Sequence, residues 1–430
     1  MNFYRLVLIC QNFKSYCMTI RVFFLNLLLM KSIFKNLKFL LFFFVVLQSM
    51  SVNSQSKIVI QGVVYDEYEY PIPYASIGIV KKNIGTSSTE EGSFKFFVST
   101  NELNDIIEIS SIGYESIEIT VQDFVNTQDK KFILKEKITE LGEVSIESPR
   151  NIVKKALKKI KDNSISEKHK LGVLYRRWSV EDNICRYFIE QYIDVLDRGP
   201  SSFIHAFDVK HSRNSSDYRF IKNEQDRHAI QFMEQNNPLR GGPPMSSYSW
   251  KKIDDTFYEN EDVIVLQGTM KNGNTITFYI GFDTFKIYKI EKNTTAMKVG
   301  KSLTALYIYK NNNKGKLYLS YHKRQWEGAV KTPEHVKRAM IQNGKKERKY
   351  IPISYRHEVF VLDLDDTNSK IKLQGEMVQK DMTLYKIPYN QNFWNNVSIP
   401  PETKFYKKNI GELEGLYGVP IQTQFEFSNR

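Results

Sequence analysis

The first 54 residues contain no aspartate and no glutamate. They hold the only long apolar tract of the chain, residues 39–46, which follows Lys31, Lys35 and Lys38. A basic region, a short apolar region and then the small residues of Val52-Asn53-Ser54 are typical of a secretory signal peptide. We therefore predict a cleaved signal over residues 1–54, with Met30 as an alternative start. A membrane anchor is the other interpretation, but the tract is shorter than the ~20 residues that a spanning helix needs.

Cysteine is also scarce. The chain has three cysteines, and Cys10 and Cys17 would leave with the signal, so the exported protein would keep Cys185 alone. One thiol can form no intramolecular disulfide, and no cysteine cluster remains to hold a metal ion. No cysteine stands at the expected cleavage site, which argues against a lipoprotein-type anchor. The fold must therefore be stabilised by packing.

A strong excess of one charge is absent from the exported chain. The full sequence has 61 Lys+Arg and 48 Asp+Glu, a formal net charge of +13. Six of the basic residues lie in residues 1–54, and their loss leaves +7. Over a chain of this length, that excess gives no indication of a nucleic-acid partner, and we expect none.

Catalytic and cofactor motifs are missing as well. A zinc carboxypeptidase needs a His and a Glu three residues apart plus a distant His, because three ligands converge on one ion. None of the seven histidines has a Glu at that spacing: His169, His205, His211, His228, His322, His335 and His357. The sequence also has no G-x-S-x-G, G-x-G-x-x-G or phosphate loop. We therefore predict no catalytic, cofactor-binding or metal-binding residues, and no enzyme activity.

Three weak signals of catalytic chemistry remain. Ser249 and Lys252 satisfy S-x-x-K, a spacing that is common by chance. Cys185 lies inside a strand pattern. His357 and Glu358 are adjacent in a strand, so they would point to opposite faces and could not chelate together.

Two further groups have a binding and a packing interpretation. Asp363, Asp365, Asp366 and Asn368 could offer oxygens to calcium, but they lack the glycine and the terminal glutamate of an EF-hand loop, so we prefer a solvated turn. Trp250, Trp326 and Trp394 could form a sugar-stacking surface. Because aromatic residues in strands usually pack, we prefer the packing interpretation for them too.

From Lys57 the chain consists of short β-type runs divided by turn residues, such as "KIVIQGVVYD", "SFKFFVS" and "DIIEIS". Their spacing of about ten residues predicts a small sandwich. The run "SSIGYESIEI" contains Gly113 and Tyr114 between two strands. A glycine there is typical of a corner where another backbone comes close, and the tyrosine ring can cover the gap. A ligand platform is the alternative for Tyr114.

This region resembles the carboxypeptidase regulatory-like domain of Bacteroidetes envelope proteins. The family's spaced elements occur in order: Gly62, Val64 and Asp66; Pro71, Ala75, Ser76 and Ile77; Gly85, Thr86, Thr89, Gly92 and Phe94; Ser110, Ile112, Gly113 and Tyr114. One departure is Glu90, where the family usually has Asp. The resemblance implies a non-catalytic, transthyretin-like sandwich of seven strands over residues 55–135.

Residues 136–168 are predicted to form a linker and an amphipathic helix. The segment 138–149 is polar and extended, and is similar to the one that follows this domain in TonB-dependent receptors. After Pro149 apolar residues recur on one helical face and lysines on the other: Ile152, Val153, Ala156, Leu157 and Ile160 against Lys154, Lys155, Lys158, Lys159 and Lys161. The lysine face is either solvated or a peripheral contact with anionic lipid.

Residues 169–430 contain nine candidate strands with hairpin turns such as Asn272-Gly273 and Lys314-Gly315. Consecutive strands joined by short turns predict an antiparallel meander. Residues 219–245 are predicted to form a helix and an irregular loop. The pattern has a softer likeness to the uncharacterised domain that follows the sandwich in related Bacteroidetes proteins, which implies architecture alone.

The sequence thus predicts a mainly β protein: a transthyretin-like sandwich followed by a larger antiparallel β-rich domain with one or two helices. We expect an exported protein of the periplasm or outer membrane, with a structural or binding role and an envelope protein or a glycan as partner. The alternative is a hydrolase of glycan or cell-wall material, whose carboxylates would converge from different strands.

Overall fold

The computed structural model describes residues 57–137, 147–199, 204, 206–222, 228–233, 237–295, 297, 300–367, 372–373 and 380–428. The predicted signal, residues 1–54, lies outside these residues, and so do most of segment 138–149 and most of the candidate strand 370–380.

The N-terminal part contains seven strands and one short helix: β1 (Lys57–Asp66), β2 (Ser76–Ile79), β3 (Ile84–Ser87), β4 (Ser93–Ser99), β5 (Ile106–Ser110), β6 (Ile117–Thr120), α1 (Val121–Asn126) and β7 (Lys131–Leu134). They form a three-stranded sheet in the order β4-β1-β7 and a four-stranded layer in the order β3-β2-β5-β6, in which Ile84 of β3 also pairs with Asp363 of the larger domain. Phe94, Phe96 and Val98 alternate with more exposed residues along β4 and enter the shared core. The predicted seven-stranded sandwich is confirmed.

The larger domain begins with two helices, α2 (Pro149–Lys158) and α3 (Ile160–Asn163). Its described strands are β8 (His169–Glu181), β9 (Ile184–Asp197), β10 (Ala206–Asn214), β11 (Tyr248–Tyr258), β12 (Glu261–Met270), β13 (Thr275–Gly281), β14 (Ile287–Thr294), β15 (Ser302–Asn311), β16 (Leu317–Lys331) and β17 (Tyr350–Asp365). The remaining helices are α4 (Pro238–Gly241), α5 (Glu334–Gln342), α6 (Gln391–Asn396), α7 (Lys404–Gly415) and α8 (Ile421–Ser428).

These strands form one curled antiparallel sheet in the order β11-β12-β13-β14-β15-β16-β17-β8-β9-β10. The run from β11 to β17 is the predicted meander, and eight of the nine candidate strands form. The sequence analysis missed β10 and β11. The edge strand β11 carries Lys251, Lys252, Asp254 and Asp255, so it lacks the alternation of a half-buried strand.

The inner face of the sheet is the side that packs against α2. Ile152, Val153 and Ala156 of this helix join a core with inner-face residues such as Val173 and Phe278. The predicted apolar face of the helix is therefore buried, and its lysines lie on the exposed side. Residues 219–245, predicted as a helix and a loop, show only the single turn α4 and a short 3-10 segment among their described residues.

The outer face is covered by the C-terminal helices and by the sandwich. Trp178 of β8 and Phe188 of β9 pack against Tyr406 and Leu413 of α7 and Phe425 of α8. The number of helices in the larger domain therefore exceeds the one or two that we expected. In α7 the residues Tyr406, Ile410 and Leu413 recur at helical spacing, so the sequence did carry a signal for it. None of the helices among the described residues is long and apolar enough to cross a membrane.

The sandwich contacts the sheet through the predicted corner. Gly113 adopts φ 92°, and its N–H donates to the carbonyl of Phe257 in β11 (2.7 Å). The glycine thus stands where a second backbone comes close, as predicted. Tyr114 is half-buried against the sandwich core, which supports the packing interpretation.

A second contact is made by the turn between β3 and β4. One oxygen of Glu90 accepts the hydroxyl of Tyr74 (2.9 Å) and lies near Lys323 Nζ (2.7 Å) and Arg356 Nη2 (2.9 Å), both on the outer face of the sheet. Burial alone would raise the pKa of Glu90, but Arg356 and Lys323 outweigh it and lower the pKa from 4.5 to about 2. Glu90 is therefore ionised at neutral pH and links the two domains.

We expect Glu90→Gln to lower the free energy of unfolding by about 2 kcal/mol at pH 7. This value lies between the small contribution of an exposed ion pair and the larger cost of leaving a buried cation without a partner. Because the folded pKa is depressed, this contribution is present above pH 4.5 and is lost as the pH falls towards 2. Urea unfolding at pH 7 and at pH 3 measures both effects. Glu118→Gln, at an exposed position of β6, is the control; an equal loss in that variant would contradict the assignment.

Candidate binding site on the inner face

A row of basic residues crosses the inner face of the sheet. Arg177 of β8 is directly opposite His357 of β17, and His357 is opposite Arg324 of β16. The row continues through Ala305 of β15 to Lys292 of β14. Residues directly opposite in antiparallel strands share a face, with Cβ atoms ~5 Å apart. The register therefore gathers three cations that are remote in sequence.

A second row lies two residues along the strands from the first, and its polar side chains are buried. It includes Gln191, Tyr175, His322 and Tyr307 on β9, β8, β16 and β15. The Tyr175 hydroxyl donates to the carbonyl of Ala229 (3.0 Å) and lies 2.7 Å from His357 Nδ1. The Tyr307 ring stacks on His322 with centroids 4.3 Å apart.

The imidazoles of this region are neutral at pH 7. Burial lowers the pKa of His228 to about 3 and that of His322 to about 4, and it lowers the pKa of His357 well below its ordinary value. Arg177 and Arg324 add to the effect on His357, because a cation disfavours a second positive charge. The positive charge of the site therefore resides on Arg177, Arg324 and Lys292.

The facing carboxylate is Asp381, at the start of a short 3-10 turn. Its Oδ2 lies 3.8 Å from Arg177 Nη1, which is within ion-pair range but beyond hydrogen-bond length. Asp381 instead accepts the N–H and hydroxyl of Thr383. It balances part of the charge and leaves Nε and Nη2 of Arg177 without a hydrogen-bond acceptor among the described residues.

Several inner-face polar atoms have no hydrogen-bond partner within the part of the chain that the structure describes: Arg177 Nε and Nη2, Ser179 Oγ, Tyr307 Oη and His322 Nε2. Arg177 is 4% exposed and Ser179 is fully buried. His322 Nδ1 lies 2.9 Å from the carbonyl of Leu306, so this nitrogen carries the proton and Nε2 is an acceptor. Buried polar groups are almost always satisfied, so these atoms have hydrogen-bonding capacity that water or a ligand can use.

Aromatic side chains form the more exposed border of this cluster. In the row next to Arg177, Ser179 is directly opposite Tyr355, and Tyr355 is directly opposite Trp326. Tyr355 and Trp326 are half-buried, and their rings stack with centroids 6.0 Å apart. We call this cluster, from Tyr307 and His322 through Arg177 and Ser179 to Trp326, the inner-face site. It can offer hydrogen bonds and positive charge beside an aromatic surface.

The sequence analysis did not predict this site. Its signal is the alternation of polar and aromatic residues along single strands: Tyr175, Arg177 and Ser179 in β8, and His322, Arg324 and Trp326 in β16. Residues two apart in a strand share a face, so each triplet forms one polar stripe. Both triplets can be read from the sequence, but the strand pairing that brings them together cannot be predicted from it.

The seven histidines do not form a metal centre in the described ranges. His228, His322 and His357 gather at the inner face, whereas His169, His211 and His335 lie elsewhere; His205 is outside the described residues. No group of three metal-ligating side chains could hold an ion in those ranges. His357 and Glu358 point to opposite faces, as expected from their adjacency.

The nucleophile candidates are poorly placed for catalysis. Cys185 is fully buried beneath α7, and burial raises the pKa of its thiol to about 12. Such a thiol is not a thiolate at neutral pH. Ser249 lies on the edge strand β11, three residues from Lys252, so the two side chains point to opposite faces.

The acidic group near the end of β17 is hydrogen-bonded to its own turn and to the turn between β15 and β16. Asp365 accepts the N–H of Thr367 (3.1 Å), and Asp366 accepts Asn312 Nδ2 (2.8 Å) and Lys314 Nζ (3.0 Å). Asp363 pairs with Ile84 of the sandwich, and Asn368 lies outside the described residues. These contacts favour the turn interpretation over a calcium site.

The tryptophans do not share one surface. Trp394 is buried on the outer face beside the Arg213 guanidinium (4.4 Å), in a cluster with Leu174 and Tyr321. Trp250 packs over Gly268 and Phe278 near the far edge of the sheet. Trp326 alone borders the inner-face site.

One carboxylate pair does meet at a cavity. Glu108 of β5 and Glu259, in the turn between β11 and β12, line a space of about 20 Å³ between the sandwich and the sheet. That volume admits roughly one water and no sugar ring. Burial, then the charge of Glu108, raises the pKa of Glu259 to about 7. The space at this pair is therefore too small for a glycan.

Comparison with known families identifies one part of the chain. The family model described as a CarboxypepD_reg-like domain matches residues 60–146. The chain contains a carboxypeptidase regulatory-like domain. The match spans about a fifth of the sequence and confirms the resemblance carried by Gly62, Gly92 and Gly113.

Solved structures resemble the chain only weakly. A LolA superfamily protein from Nitrosomonas europaea is 14% identical with a TM-score of 0.24, over 51% of this chain and 96% of that one. A domain described as an outer membrane lipoprotein-sorting protein, from Vibrio parahaemolyticus, is 8% identical with a TM-score of 0.27, over 52% and 94%. Scores this low assign neither a shared fold nor a ligand. No curated protein sequence matches the chain.

We expect Glu259→Gln to flatten the pH dependence of stability near neutrality. The folded pKa of Glu259 is raised, so its contribution to stability is full below pH 4.5 and is lost as the pH rises through about 7. The glutamine stays neutral, so the variant should unfold at a higher temperature than the wild type at pH 8 and at a similar one at pH 4.5. Thermal unfolding across this range checks it. Glu402→Gln, at an exposed position just before α7, is the control; the same flattening in that variant would show that the effect does not come from Glu259.

Proposed function

We propose that this protein is exported to the cell envelope and binds a ligand at the inner-face site without catalysis. The observation that carries the proposal is the unused hydrogen-bonding capacity of Arg177, Ser179 and Tyr307. The outer face, by contrast, is occupied by α7, α8 and the sandwich. In this proposal the carboxypeptidase regulatory-like domain supports the sheet, and the sheet holds the ligand.

The chemistry of the inner-face site supports binding over turnover. A general base works best when its pKa is near the working pH. His322 Nε2 has a free lone pair, but with a pKa of about 4 this imidazole is a weak base. The nearest thiol, Cys185, is on the outer face, and the Glu108–Glu259 space admits no substrate ring.

The envelope location rests on the sequence. Residues 1–54 have the pattern of a signal peptide, and the domain over residues 60–146 resembles those of envelope proteins. The exposed lysines of α2, such as Lys154 and Lys158, are available for a peripheral contact with anionic lipid. An envelope protein or a glycan remains the proposed class of partner.

Export can be tested with the full chain carrying a C-terminal tag. We expect fractionation of the producing bacterium to place the tag in the envelope, and the intact mass to show cleavage within residues 52–55. A variant that lacks residues 2–54 should stay in the cytosol. Recovery of the uncleaved chain in the soluble cytosol would contradict the proposal.

Binding can be tested by comparing native and denatured masses of the protein isolated from the envelope. A non-covalent species that is present in the native mass and absent after denaturation is the expected result. An unliganded native mass, together with turnover of a glycan or peptide library, would instead favour the hydrolase alternative.

A further inference from the structure

We propose that the inner-face site binds a phosphate group, held by Arg177 and Ser179 within the basic row. This inference rests on the proposed binding function and names its ligand class. The same phosphate chemistry occurs in free phosphate and in the head group of an anionic phospholipid.

The first argument is the free edge of the Arg177 guanidinium. Nε–H and Nη2–H lie side by side on one edge of the planar group, and this edge grips two oxygens of an oxyanion at once. Both atoms are buried and lack a partner, while the remaining nitrogen, Nη1, faces Asp381 at 3.8 Å. The unused edge is therefore the one suited to a bidentate anion.

The second argument is the charge of the row. Arg177, Arg324 and Lys292 bring three cations to one row of the inner face, and Asp381 lies within ion-pair range of Arg177. The neighbouring imidazoles are neutral, so they add no further charge. A row of cations favours an anion as the ligand.

The third argument is the additional donor. Ser179 Oγ lies two residues along the same strand as Arg177, so it is on the same face, and it has no partner among the described residues. A planar carboxylate would use both oxygens on the arginine edge. A tetrahedral phosphate keeps further oxygens for a hydroxyl donor such as Ser179, so the donor set favours phosphate.

The experiment uses the mature chain in a phosphate-free buffer of constant ionic strength. Inorganic phosphate is titrated by calorimetry, and vesicles of phosphatidylglycerol or of phosphatidylcholine are tested by flotation. We expect Arg177→Met to weaken the interaction at least tenfold. Ser179→Ala should weaken it about threefold to tenfold with the fold retained, which keeps the test valid if the arginine variant misfolds. Arg338→Met removes an exposed arginine of α5 and should bind as the wild type does.

The outcomes distinguish free phosphate from a lipid head group, and they distinguish failure of the phosphate inference from failure of the proposed binding function. Arg177-dependent binding of inorganic phosphate supports a free phosphate. Arg177-dependent flotation with phosphatidylglycerol, but not with phosphatidylcholine, supports a lipid head group. If neither probe depends on Arg177 or Ser179, the inference is wrong. If the native mass of Arg177→Met then retains a ligand without phosphorus, the proposed binding function is still supported. If the native mass of the wild type shows no ligand, both the binding function and the phosphate inference are wrong.

Discussion

The pairing of β8 with β17 is the contact on which the larger domain depends. It joins the first strand of the curled sheet to the last of the meander, over a register from Lys170↔Asp365 to Glu181↔Ile353. Without it, β8 to β10 and β11 to β17 would be separate sheets with exposed inner edges. With it, Arg177 stands beside His357 and Arg324, and the inner-face site exists. Contacts of such long sequence separation cost loop-closure entropy and form slowly, which makes this pairing a late step in folding.

The sequence predicted what local patterns determine. Most of the sandwich strands, the buried face of α2 and the corner at Gly113 follow from alternation, helical periodicity and turn chemistry, whereas the count of seven strands came from the family resemblance. Edge strands and sites depend on distant partners instead. β11 has little apolar alternation because it lies at an edge, and the inner-face cluster joins stripes that are 147 residues apart in the chain. Patterns in one strand cannot specify which strand lies beside it.

Glu90 shows how a domain of known type is adapted to its neighbour. The regulatory-like pattern usually has Asp at this turn, and a turn needs nothing longer. The extra methylene of Glu90 extends its carboxylate to Lys323 and Arg356 on the adjoining sheet. Tyr74, whose ring stacks on Tyr321 at 4.5 Å, completes the contact. The sandwich therefore has a fixed orientation on the sheet, in place of the freedom of a tethered module.

The charges of β11 have a consequence for the chain before it is fully folded. An open sheet edge offers unpaired N–H and C=O groups to any other extended chain. Lys251, Lys252, Asp254 and Asp255, with the register shift between Lys252 and Asp254, make this edge a poor template for intermolecular strand addition. The irregularity that hid β11 from pattern analysis is thus a safeguard against aggregation.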